Sequence, residues 1–194
     1  MALRQIRIWP DPALSTIAQP VETYNEDIST LINDMFETMY EANGVGLAAT
    51  QIAVPLRALI IDLDPNSDAP NDPDIQAELA SFKFNGPQEF INPEIIASTG
   101  SIVWEEGCLS VPGFTEKVKR KRDITVKAFD RHGVPFTIEA TGLYSVALQH
   151  EMDHLDGKVF VEYLSRLKRD VVKRKMNRLK SNGTTDGVAA AANL

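Results

Sequence analysis

Apolar residues recur at helical spacing early in the chain. Ile28, Leu31, Ile32, Met35, Phe36 and Met39 lie between Asn25 and Asn43 and predict a helix closed by Asn43-Gly44. The pattern then changes. GVGLAATQ, residues 44–51, is rich in small residues but too poor in glycine at its end for a phosphate loop. RALIIDLD, residues 57–64, reads as a strand buried on both faces. DPNSDAPNDPD, residues 64–74, holds three prolines and four aspartates and predicts an exposed loop. Strand-like runs follow at 88–96 and 101–104, and ITVKAFD and VPFTIEA flank Arg131-His132-Gly133 as a β-hairpin with its turn there.

Helical spacing returns in LYSVALQHEMDHLDG, which Gly142 opens and Gly157 ends. Leu143, Val146, Ala147, His150 and His154 share its apolar face. A third helix starts near Ser165 as N-cap, with Leu167, Val171, Met176 and Leu179 on one face and Lys/Arg on the other. The tail TTDGVAAAANL has nothing to bury. The fold class is α+β: small mixed or antiparallel sheets around a central histidine-bearing helix, with a carboxy-terminal helix. The expected division is a catalytic unit over 1–164, a basic helix over 165–182 and a loose tail over 183–194.

Composition narrows the class. At 194 residues, 43% hydrophobic and 24% charged, the chain suits one globular domain. No apolar run approaches the roughly 18 residues of a membrane span, and the start MALRQIRIWPDP lacks the apolar core of a secretory signal, so the cytoplasm is the expected compartment. One cysteine excludes an intramolecular disulfide and any zinc site needing two thiolates. The net charge of −7 is uneven. Residues 1–100 hold 4 basic against 15 acidic residues, whereas residues 158–194 hold 9 against 3. A basic end on an acidic body suits a polyanionic partner, although a solvated helix face explains the same pattern.

The strongest chemical signal is His150-Glu151-Met152-Asp153-His154. Residues i and i+4 of a helix lie about 6 Å apart on one face, so both imidazoles can reach one metal ion. Glu151, beside the first ligand, can then take a proton from water. Two ligands need a third. A metzincin would place a histidine where this chain has Phe160, and Glu162 follows too closely to return on a separate helix. The candidates left are Cys108 and His132. His132 sits at a predicted hairpin tip, and Cys108, in EEGCLSVPG, is the better one. A Cys-His-His set leaves one position open, as catalytic sites require, while a site using His132 as well would be closed and structural.

Three segments stand out together: GVGLAATQ (44–51), EGCLS (106–110) and QHEMDH (149–154). In this order they resemble the signature motifs of the peptide deformylases, which remove the formyl group from new bacterial and organellar proteins. The similarity runs from IRIWPDPAL to near Leu179. It implies that Cys108, His150 and His154 bind one divalent ion, Fe²⁺ in the cell, replaceable by Zn²⁺ or Ni²⁺. It further implies that Glu151 is general base and acid, and that the Gln51 side-chain amide and the Leu109 N–H donate to oxygen at the reacting centre. Substrate, an N-formyl-methionyl peptide or nascent chain, is expected against Val45, Gly46 and Gly107, with Val45, Leu143, Val146 and Ala147 receiving its first side chain. The family's carboxy-terminal helix docks on the ribosome in some bacterial members, and the basic third helix here fits that pattern. A monomer without membrane attachment is expected. Two departures stand out. Thr115 stands where many bacterial relatives have a substrate-contacting arginine, and the Pro/Asp-rich stretch around 64–88 is longer than in the simplest relatives, as a solvated insertion would be.

Overall fold

The structure is a computed structural model and describes residues 2–63 and 86–181. The expected loop at 64–74, most of the 64–88 insertion and the tail at 183–194 therefore lie outside the described residues.

Helix α1 spans Glu26–Glu41. Asn25 caps it by accepting from the Asp27 and Ile28 N–H groups, and Glu26 and Asp27 place negative charge at the positive end of its dipole. It stops where Asn43 takes a left-handed φ of 53°, as the Asn-Gly signal predicts. Ile28, Leu31, Ile32, Met35 and Met39 face a core with Leu47, Ile52, Ile60 and Ile91.

The main sheet has the order β1 (Gly46–Ala48), β2 (Ala58–Ile61), β3 (Gln88–Thr99), β6 (Asp123–Phe129), β7 (Pro135–Thr141), and every pairing is antiparallel. All four residues of β2 are buried, in keeping with its apolar run, though the strand is shorter than 57–64. Strand β3 runs beyond the expected 96 to Thr99; its register slips between Ile91 and Glu94 and again between Ile95 and Ala97, and its outer half is exposed. Such slips bend a strand away from the sheet plane. The β6–β7 hairpin turns at Arg131-His132-Gly133 as predicted, with Asp130 Oδ1 accepting from the His132 and Val134 N–H groups.

A separate two-stranded sheet pairs β4 (Ile102–Glu106) with β5 (Glu116–Arg120). Strand β5 escapes a hydrophobicity reading, because Glu-Lys-Val-Lys-Arg offers only Val118 as an apolar residue.

Helix α2, Gly142–Leu155, lies against the main sheet and buries Tyr144, Ala147, Leu148 and Leu155 among Leu59, Ile61, Phe90 and Val126. Gly157 follows it at φ 71°, and a Cβ there would meet the Ser15 carbonyl oxygen at 2.8 Å. No other residue fits that stop. Helix α3 spans Arg166–Ser181. Its buried face is Val172 and Met176, with Leu179 partly covered, packed on Leu14, Val111, Val118, Phe160 and Leu164. The sequence pattern had placed Leu167 and Val171 on that face. They are instead 75% and 48% exposed. Adjacent residues differ by 100° around a helix, so Val172 rather than Val171 turns inward once Met176 is seated. Lys168 pairs with Glu116 at 2.5 Å, and Lys175 Nζ donates to the Gly113 carbonyl, so part of the basic face ties the helix to the body.

Candidate metal centre

His150 and His154 sit one turn apart on α2, with ring centroids 5.0 Å apart and planes nearly perpendicular. Cys108 reaches them from the loop that leaves β4, held by a turn in which the Val111 N–H donates to the Cys108 carbonyl at 2.8 Å. Cys108 Sγ lies 3.2 Å from His154 Nε2. The three ligand atoms all fall within 4.8 Å of one another and are buried. One thiol and two imidazoles, shielded from water, form a donor set suited to a divalent transition metal. The electrostatics agree. Burial holds His154 well below its ordinary pKa, which favours the neutral, ligating form. At His150 burial is outweighed by Cys108 and Glu106, which push its pKa well up; a pull on positive charge at that spot is a pull on a cation. The other candidates stand apart. His132 is exposed at the hairpin tip, Glu162 is exposed, and Phe160 packs its ring 6.2 Å from that of His150.

A narrow cleft opens beside these groups, lined by Gly44, Val45, Gly46, Gln51, Gly107, Cys108, Leu109, His150 and Glu151. Glu151 is 2% exposed, and its Oε2 meets no hydrogen-bond partner among the described residues. Burial pushes its pKa up to about 7. A Cβ on Gly46 would stand 2.6 Å from Glu151 Oε1, so a glycine is required for this edge strand to pass the carboxylate. Gln51 lies in the 3₁₀ turn Ala49–Ile52. Its Oε1 accepts from the Ala48 N–H at 2.8 Å, and its Nε2 donates to Ser110 Oγ at 3.1 Å and, more weakly, to Cys108 Sγ at 3.6 Å.

The cleft thus gathers Val45, Gly46, Gln51, Gly107, Leu109 and Glu151 around the three ligands. It does not include Leu143, Val146 or Ala147: Val146 and Ala147 are fully buried, and Leu143 packs on the core beneath α2. Thr115 turns away, its Oγ1 donating to Glu105 Oε1 at 2.7 Å.

Sequence reasoning missed what stands behind His150. Glu106, wholly buried at the end of β4, accepts from His150 Nδ1 at 2.8 Å and from Arg120 Nε and Nη2 at 2.7 and 2.9 Å. Arg120 also donates to Asp153 Oδ2 at 2.5 Å and lies over the Tyr163 ring, whose hydroxyl donates to the same carboxylate oxygen at 2.8 Å. Burial alone would raise the Glu106 pKa, yet hydrogen bonds from Arg120 and His150 hold it down at about 2. The only sequence signal was a charged residue at the inward position of each strand in the small sheet.

Comparison with known proteins follows this geometry. Residues 3–170 match the family model for polypeptide deformylase. Peptide deformylase 1 of Shewanella oneidensis is 47% identical over 178 residues, covering 92% of this chain and 96% of that one. The peptide deformylase of Azotobacter vinelandii is 47% identical over 179 residues, with the same coverage. Among solved structures, a peptide deformylase from Legionella pneumophila superposes with a TM-score of 0.82 at 46% identity, over 94% of this chain and 98% of that one. The Ehrlichia chaffeensis enzyme in complex with actinonin gives 0.81 at 36% identity, over 92% and 98%.

Proposed function

The chain belongs to the polypeptide deformylase family, and on that premise we propose that Cys108, His150 and His154 hold its metal ion while Glu151, Gln51 and the Leu109 N–H act on the substrate. The enzyme removes the N-formyl group from nascent polypeptides and releases formate. That is an amide hydrolysis. Water adds to the formyl carbon, the C–N bond breaks, and one proton passes from the water to the leaving amine. The observation that supports the residue assignment is the convergence of three ligand atoms within 4.8 Å beside a buried carboxylate with one unpartnered oxygen.

When bound, a divalent ion at these ligands supplies Lewis acidity, acidifying water and polarising a carbonyl. The chain's own groups do the rest. Glu151, with a pKa of about 7, can take a proton and return it near neutral pH, where general acid–base transfer is most effective. Oε2 takes the proton from the attacking water and delivers it to the amine nitrogen. Gln51 is anchored through its Oε1, and its long contact to Cys108 Sγ is the one a substrate oxygen replaces. With the Leu109 N–H it forms a pair of donors set before the reaction, which stabilises the developing negative charge. Gly46 and Gly107 leave room for the peptide backbone, and Val45, Leu143, Val146 and Ala147 receive the methionine side chain.

Replacing Glu151 with Ala should leave metal bound while formate release from formyl-Met-Ala-Ser falls at least about 10²-fold. Substantial residual release would overturn the assignment, and cleavage of an unblocked peptide would mark a peptidase instead. Fe²⁺ is the proposed ion, with Zn²⁺ or Ni²⁺ able to replace it, since thiolate and imidazole accept all three. Elemental analysis after anaerobic purification checks this.

We further propose a cytoplasmic monomer whose catalytic unit, 1–164, docks on the ribosome through α3. Among the described residues no helix is long and apolar enough to cross a membrane. On α3, Arg166, Lys173 and Arg178 are exposed beside Leu167 and Val171. Reversing these three charges should weaken co-sedimentation with ribosomes and leave hydrolysis of formyl-Met-Ala-Ser unchanged; undiminished co-sedimentation would refute the docking.

A further inference from the structure

Resting on the metal-site reading above, we infer that Glu106, braced by Arg120 and Asp153, is a positioning residue that sets the tautomer and orientation of His150. The geometry leaves Glu106 no other use. It is wholly buried, and its two oxygens receive three donors, two from the Arg120 fork and one from His150 Nδ1. A carboxylate paired with a guanidinium offers acceptors only. The hydrogen between Glu106 and His150 therefore sits on Nδ1, and the Nε2 lone pair is left for the site shared with Cys108 and His154. A carboxylate on the far nitrogen also makes an imidazole a more basic ligand.

Arg120 is fixed in turn. Its Nη1 donates to Asp153 Oδ2, which also accepts from the Tyr163 hydroxyl, and its guanidinium rests on the Tyr163 ring. Asp153 lies three residues after His150 on α2, so both ends of the chain of contacts return to one helix face. The small β4–β5 sheet supplies the two middle members, and it thereby clamps α2 to the loop that carries Cys108. His154 is treated differently. Its Nδ1 is buried and meets no side-chain acceptor among the described residues, and the backbone at Lys158 is the group acting on it. The clamp is specific to the first histidine.

The test measures metal rather than turnover alone. Full-length protein is loaded with Co²⁺, and its affinity is read by competition with a chromophoric chelator, alongside the visible d–d spectrum and the ring ¹⁵N shifts of the Zn²⁺ form. Glu106→Gln should lower affinity about 10–100-fold, shift the d–d bands, and remove the hydrogen-bonded Nδ1–H signal of His150 while that of His154 persists. A residue that only supported the fold would lower the melting temperature of the metal-free protein and leave these signatures alone; that outcome overturns the inference. Should Glu106→Gln not fold, Arg120→Lys keeps the charge without the fork. It should reduce affinity about tenfold, and unchanged affinity and spectrum would overturn the inference as well. Failure of the metal site itself has a separate mark: Cys108→Ser would then leave the wild-type spectrum intact.

Discussion

Helices α2 and α3 have similar lengths, 14 and 16 residues, and opposite constructions. Most of α2 is buried, including its polar His150, Glu151 and His154, whereas α3 buries only Val172 and Met176 and turns its charges to water. The difference teaches where charge is tolerated. On α3 a Lys or Arg keeps its solvation wherever it faces outward. Around α2 each ionisable group has lost water and needs a partner or a task. His150 has Glu106, Asp153 has Arg120 and Tyr163, and Glu151 keeps one oxygen unpartnered beside the cleft.

This contrast can be broken by experiment. The largest stability effect should come from Arg120→Met, which strands Glu106 in the interior. Loss of one member of a buried pair costs about 3–5 kcal/mol, readable by denaturant unfolding of the metal-free protein, and a loss below about 1 kcal/mol would show that α2 tolerates unpaired charge after all. Met176→Ala on the covered face of α3 should cost about 2–5 kcal/mol by the same measurement. Acid gives a third reading. Glu106 is held at about 2 against an ordinary value near 4.5. Its contribution, on the order of 2–3 kcal/mol, is therefore fully present above pH about 4.5 and lost as pH falls toward about 2. In Arg120→Met that acid dependence should flatten. The smallest effects should come from Leu167→Ala and His132→Ala, both on exposed residues. Each should stay within about 0.5 kcal/mol of wild type, and neither should change metal content. Loss of metal in His132→Ala would overturn the three-ligand site.

Legibility followed the same divide. Helix α1, the hairpin at Arg131-His132-Gly133 and the ends of α2 were readable because local turn and cap chemistry decides them. Strand β5 was not, since four of the five residues in Glu-Lys-Val-Lys-Arg are charged and only pairing with β4 makes a strand of them. The inward face of α3 was misread by one residue, which is 100° of rotation, because only contact with Phe160 and Leu164 distinguishes Val172 from Val171.

At the site, the sequence by itself determined the His150–His154 pair, because spacing of four residues puts two side chains on one helix face whatever surrounds the helix. It also narrowed the third ligand to Cys108 or His132, and the resemblance chose Cys108. Tertiary structure alone decided that Cys108, from a loop after another strand, lies 3.2 Å from His154. It also decided that Glu106 and Arg120, which composition would send to the surface, form the buried support of His150. Local geometry acts within a few bonds of the backbone, while the partner of a buried charge is set by packing between segments far apart in the chain.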